Sequence, residues 1–345
     1  MKRLLTLCLL IMVHIKVCFA AAQDSVRRAH AGIIVVQTDS TVRAMEPYNA
    51  RRDALEAYVR VVGRYKRQFP NTRVYCMLIP NAVAFYCPEE AREWTQDEGP
   101  VIEYVLGGLP RGVIAVNLMP ALGDHIDEPI YAHTDHHWMP LGAYYAAEQF
   151  AFEAGVPFMP LSCYRADTIH NFVGTMQKFS QDRAVGCYPE EFVYYIPQCV
   201  DYETTRHVYT YTTTRKGRGR RRRVQRSLTL KQQPETTFFK SFPDGSAAAY
   251  STFMGGDLNQ TSVRTAVKNG RRLLILKDSY GNALPSCLFG SFEEVHVVDC
   301  RYFIGNIVDF VHQHAITDIL FANNLIHASS PVTSSTYEKY LTQKK

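Results

Sequence analysis

The sequence predicts an α/β fold built on a parallel sheet, with an irregular, β-containing insertion between two regular halves. Three observations carry this. Apolar strand-like runs alternate with helix-periodic segments from Gly32 to Asn117. The same rhythm returns from Arg272 to Phe321. Between them, residues 156–270 run in aromatic and Thr-rich extended pieces without that period. Strands separated by helices need crossover connections, and these favour parallel neighbours.

Taken in order, the chain starts with Lys2-Arg3, an apolar run from Leu4 to Val13 and Ala20-Ala21-Ala22, the layout of a secretory signal. Residues 1–22 are therefore expected to be a signal peptide and 23–345 a single domain, in the periplasm or secreted. His14 and Lys16 break the apolar run, so an uncleaved membrane anchor is the alternative. Gly32–Gln37 reads as a strand, and Arg52–Phe69 as a helix with Leu55, Tyr58, Val59, Val62 and Tyr65 on one face. Arg73–Ile79 and Gly112–Asn117 are strands flanking a short helix at Val101–Leu106. Pro140 suits the first turn of a helix over Leu141–Phe152. After the insertion or lid, Leu273–Leu276, Glu294–Val298 and Ile316–Phe321 are strands. Ala283–Phe289 and Phe303–His314 are helices, and the polar tail from Ser329 is expected to fray.

The apolar fraction of 46% supports a sizeable core. The formal charge of +5 rests on one run, Arg215 to Arg226, whose eight positive charges leave a balance of −3 elsewhere. That run reads as a basic loop able to meet an anionic glycan or a membrane surface, and no nucleic acid is expected. Seven cysteines follow the leader, an odd number without C-x-x-C spacing, so zinc-finger chemistry is not indicated. Cys76 with Cys87 and Cys163 with Cys187 are open pairings.

Two stretches carry chemistry. Leu273–Leu276 runs through Lys277-Asp278 into Ser279, Tyr280 and Gly281, a strand ending in a serine at a helix start. Such a serine either caps the helix or serves as a nucleophile beside free N–H groups. Upstream, His133-Thr134-Asp135-His136-His137-Trp138 precedes Pro140. Asp135 and His137, two apart, would share a side in strand-like backbone, as a base and its orienting carboxylate require. The alternatives are a metal-dependent hydrolase using His133, Asp135, His136 and His137, and a purely structural loop.

Thr134-Asp135-His136-His137-Trp138 with Leu141-Gly142-Ala143-Tyr144, together with Lys277-Asp278-Ser279-Tyr280-Gly281-Asn282-Ala283, resembles the bacterial DHHW protein family. That family is similar to SGNH hydrolases and to periplasmic alginate O-acetyltransferases. The resemblance implies a three-layer α/β/α, SGNH-hydrolase-like (flavodoxin-like) parallel sheet with circularly permuted motif order, since the serine follows the Asp-x-His pair. It implies catalysis by Ser279, His137 and Asp135, an oxyanion hole from the Ser279 and Tyr280 N–H groups with Asn324 (Asn323 second), and substrate binding at Trp138, where a packing anchor is the other reading. The implied activity is O-acetyl transfer to, or removal from, a cell-envelope or extracellular polysaccharide, with an acyl donor and a polysaccharide acceptor as partners and neither cofactor nor metal. A non-catalytic glycan-binding or assembly protein is the remaining alternative.

Overall fold

A computed structural model describes residues 24–216, 223–235 and 237–343. The expected signal peptide and Gly217 to Arg222 of the basic run lie outside the described residues.

The chain enters through β1 (Ser25–Arg28), β2 (Ile34–Gln37) and β3 (Val42–Met45), an antiparallel meander of its own. The run expected to open the parallel sheet is thus β2 of this meander. Thr38 to Thr41 turn the chain back on itself, the Thr38 N–H donating to the Thr41 carbonyl at 2.8 Å, and Val42–Met45 takes the neighbouring position that a crossover would need.

Next come α1 (Arg52–Gln68), β4 (Arg73–Ile79), α2 (Glu98–Gly107), β5 (Val113–Val116) and α3 (Pro140–Ala154). Pro140 opens α3 as its fixed φ allows, and Gly155 closes it in the left-handed region (φ 61°). The stretch expected as an insertion supplies the hairpin β6 (Tyr164–Phe172) and β7 (Glu190–Pro197). It also supplies β8 (Tyr202–Lys216), β9 (Arg223–Glu235) and β10 (Gln260–Thr265), which extend the main sheet. Much of the basic run is therefore strand: Lys216 pairs with Arg223 and Thr213 with Arg226 across β8 and β9.

The last part contains β11 (Arg272–Lys277), β12 (Glu294–Asp299), α4 (Ile307–Gln313), β13 (Asp318–Asn324) and α5 (Pro331–Thr342). The main sheet runs β5-β4-β13-β11-β12-β10-β8-β9. Its first five strands are parallel, and the pairings of β10, β8 and β9 are antiparallel. Nearly every residue of β4, β11 and β13 is buried, as the continuous apolar runs of parallel strands require. On one face, Phe321 packs edge-on against Tyr65 of α1 and Tyr337 of α5. On the other, Tyr75 meets Phe150 of α3.

Two expectations are corrected. Residues 283–289 form no α-helix: Ser279–Asn282 and Pro285–Leu288 are 3-10 turns, since Pro285 lacks the N–H that a helix continuing from Ser279 would use there. The tail is not frayed. Ser330 caps α5 with Pro331 in its first turn, and Tyr337 and Tyr340 are buried against α1 and the Phe303 ring. No disulfide joins the seven described cysteines, and Cys163 neighbours Cys199 rather than Cys187.

Candidate active site

The site forms where the loop ahead of α3 meets the carboxyl end of β11, the edge at which parallel sheets gather ligand chemistry. Tyr131 bridges Trp138 in antiparallel fashion, and the Met139 N–H donates to the Ile130 carbonyl at 2.9 Å, so residues 131–138 are a closed loop. Glu190, at the start of β7, braces it by accepting from the N–H groups of His133 and Thr134 and from the Thr134 hydroxyl, at 2.6–3.0 Å.

Inside this loop Asp135 and His137 meet through a tight bend rather than strand alternation. Asp135 Oδ1 accepts from the His137 N–H at 3.1 Å and lies 2.6 Å from His137 Nδ1. His137 Nε2 is 2.9 Å from Ser279 Oγ. Asp135 Oδ2 accepts from both the N–H and the hydroxyl of Thr175, each at 2.8 Å. Burial pushes the Asp135 carboxyl up, but the charge and hydrogen bond of His137 outweigh it and hold the group well below the usual carboxylate range. The His137 ring lies flat on Tyr250, 3.8 Å between centroids with 8° between planes. An imidazole held at both nitrogens and on one face has one orientation left to it.

Ser279 is presented by strong anchoring behind it. Lys277 Nζ donates to Asp299 Oδ2 at 2.8 Å in a buried ion pair. Asp278 points inward, accepting from the Tyr280 N–H at 3.0 Å and from the Asn324 N–H at 2.8 Å, which ties the end of β11 to that of β13. The Gly255-Gly256 turn, with φ of 83° and 100°, brings Asp257 to Asn282 Nδ2 at 2.9 Å.

Several expected site residues sit differently. The Tyr280 N–H already serves Asp278. Asn324 is 1% exposed, and its Nδ2 donates to Ile79 O and Asn81 Oδ1. Both donors are used to close the sheet edge. Trp138, expected to bind substrate, has no exposed surface; its Nε1 donates to Tyr250 Oη at 3.0 Å and to Tyr280 O at 2.8 Å, making it the anchor between loop and serine turn. His133 leaves the His cluster, with Nδ1 against Thr41 Oγ1 and Nε2 against Arg43. Asp135, His136 and His137 keep ligand atoms within 4.8 Å of one another. His136 Nδ1 contacts Thr175 Oγ1 at 2.7 Å, and burial together with the His137 charge pushes its ring down to about 3. Thr175 and Tyr250 escape sequence reasoning, since each lies far along the chain from the residue it holds.

The fold is shared with Bacillus cereus PatB1. One structure of it, bearing a sulfonyl adduct, matches at 16% identity with a TM-score of 0.65, covering 87% of this chain and 97% of that one. A second PatB1 structure matches at 18% identity and the same TM-score, over 87% and 99%. No curated protein matches the chain in sequence. A DHHW family protein from Eubacterium siraeum is 36% identical over 91% of this chain and 97% of its own, with a TM-score of 0.77. The DHHW protein model itself matches residues 21–204. By both measures, the chain belongs to the DHHW protein family.

Proposed function

We propose that this protein is an exported serine O-acyltransferase or esterase that moves acetyl groups onto or off an extracytoplasmic polysaccharide. The observation that carries the reading is the hydrogen-bonded series from Asp135 through His137 to Ser279. We read the surrounding architecture as a single three-layer, SGNH-hydrolase-like domain whose motif order is circularly permuted.

In this mechanism Ser279 Oγ attacks the carbonyl carbon of an acyl ester while His137 Nε2 takes its proton. Asp135 keeps the proton of the ring on Nδ1 and stabilises the cation that forms. The tetrahedral oxyanion is met by the Ser279 N–H. Collapse expels the donor alkoxide, which His137 protonates, leaving an acyl-serine. An acceptor hydroxyl then gives its proton to His137, attacks the acyl carbon and releases the serine; water in its place gives hydrolysis. Thr175 positions Asp135, and Tyr250 positions His137. The basic residues of 215–226 suit an anionic glycan or membrane surface beside the acceptor.

Turnover of a chromogenic acetyl ester by wild type, Ser279→Ala and His137→Ala, with and without chelator, tests the reading. Loss of about 10⁴-fold or more in both variants, indifferent to chelator, is the expected result. A sulfonyl fluoride should label the chain at Ser279, as a sulfonyl adduct is carried by PatB1. Activity that survives Ser279→Ala and vanishes with chelator would refute it in favour of a metal at Asp135, His136 and His137.

A further inference from the structure

A second cluster lies at the opposite end of the sheet. Glu294 and His296 project from the start of β12, and His314 follows the last turn of α4. Their ligand atoms all lie within 4.8 Å of one another. Glu294 pairs in register with Arg272, seven residues before Ser279. At about 3.3 Å per residue the cluster is therefore roughly 16–23 Å from the serine. It opens into a cavity of about 160 Å³ that is also lined by His207 and Ser262.

We propose that Glu294, His296 and His314 form a binding site for a divalent transition-metal ion of the zinc class, independent of the acyl-transfer chemistry. Two imidazoles and a carboxylate are borderline-soft N/O donors suited to zinc, with solvent from the cavity as fourth ligand. A tetrahedron with bonds of about 2.0–2.1 Å places its ligand atoms about 3.3 Å apart. Glu294 Oε2 and His296 Nε2 are 3.0 Å apart, a contraction that an entering ion needs to relax only slightly. The two carboxylate oxygens divide their duties. Oε1 faces Arg264 at 3.8 Å and Arg272 at 4.0 Å, and Oε2 faces the imidazole.

Behind the ligands stands the outer shell that metal sites use to fix an imidazole. His296 Nδ1 is 2.9 Å from Ser262 Oγ, and Ser262 Oγ is 3.0 Å from His207 Nε2. With an ion bound, His296 would donate from Nδ1 to Ser262 and Ser262 to His207, turning the Nε2 lone pair of His296 toward Glu294. The two lone pairs facing each other across 3.0 Å would then be bridged by the cation. A bound ion would tie β12 to the end of α4, just ahead of β13. The competing arrangement reverses the relay: His296 donates from Nε2 to Glu294 and no ion is needed.

The full chain, stripped with chelator, should be titrated with zinc against a chromogenic competitor and with cobalt in the visible range. One ion per chain is expected, with the cobalt absorption of a tetrahedral N/O site. His314→Ala and Glu294→Gln should weaken zinc by about 100-fold or more, and Ser262→Ala by about 10-fold. Arg264→Ala, which removes a competing cation from Glu294, should strengthen it, and His136→Ala should leave it unchanged. Far-UV circular dichroism checks that each variant is folded. Absence of binding at about 100 μM zinc, where even weak two-histidine sites fill, would overturn the proposal. So would binding that depends on His136 and ignores His314. Neither result bears on Ser279, whose acetyl-ester turnover is read separately.

Discussion

Gly174→Ala isolates the support of the Asp135–His137 pair in a single methyl group. Gly174 has an ordinary backbone conformation, so alanine brings no φ penalty. The cost is steric. An added Cβ would stand 2.4 Å from Asp135 Cβ, 2.5 Å from its Oδ2 and 2.8 Å from its Cα. Ordinary contact begins near 3.4 Å, so Asp135 must retreat by about 1 Å, and its Cα cannot swing aside as a flexible tip could. Such a retreat stretches the 2.6 Å contact to His137 Nδ1 beyond hydrogen-bond reach and breaks the two bonds from Thr175. Overpacking of this kind costs about 1–3 kcal/mol of stability. A misplacement of about 1 Å in a catalytic group costs about 100-fold in turnover. Urea unfolding and acetyl-ester turnover should therefore both fall, turnover by the larger factor. Gly107→Ala is the control, because a Cβ there meets nothing within 4 Å and sits in a helix. It should gain up to about 1 kcal/mol and leave turnover alone. Wild-type unfolding and turnover in Gly174→Ala would refute the packing argument, because the methyl group has no other place to go.

Other expectations follow from the same contacts. Thr175→Val removes one of two donors to Asp135 Oδ2 and keeps the side-chain volume; turnover should drop about 10-fold with a change in its pH profile, while the fold persists. Tyr337→Ala should destabilise by about 3–5 kcal/mol in urea, since the ring is fully buried against Phe321 and its hydroxyl donates to Asn323 Oδ1. For Asp299, burial alone pushes the carboxyl up, but Lys277 and Arg301 outweigh it and hold it at about 2. A depressed carboxylate stabilises the fold above its unfolded pKa of about 3.9 and loses that contribution as pH falls toward 2. Urea unfolding between pH 5 and 2.5 should show a loss of about 1.5–2 kcal/mol that Asp299→Asn lacks.

The parts of the fold legible in the sequence were those whose signal is local. β4, β11 and β13 are near-continuous apolar runs because they are covered on both faces, and α1 declares itself by the spacing of Leu55, Tyr58, Val62 and Tyr65. The sheet to which Ile34–Gln37 belongs was not legible, because an apolar run does not name its partner. The choice was made by the turn at Thr38–Thr41. α5 was missed because its buried side chains are tyrosines and small polar residues, which composition alone reads as surface. Around the site, Asp135, His137 and Ser279 stand in compact motifs, whereas Gly174, Thr175 and Tyr250 act across forty to more than a hundred residues. Asn324 presents a related case. A strand-ending asparagine looks the same whether its amide is offered to a ligand or spent on Ile79 and Asn81.

The position of β13 has a bearing on the order of assembly. It is the last strand in the chain, yet it lies at the middle of the parallel run, with β4 on one side and β11 on the other. Without it, the histidine loop hangs on one fragment of sheet and the serine turn on another, and among the described residues no backbone hydrogen bond joins the strands of the two fragments. Contacts of such long sequence separation form slowly. A chain emerging from its N-terminus carries His137 early and Ser279 much later. It keeps them in separate pieces until residues 318–324 slot between β4 and β11, so the final strand acts as the keystone that joins two half-sheets into one continuous edge.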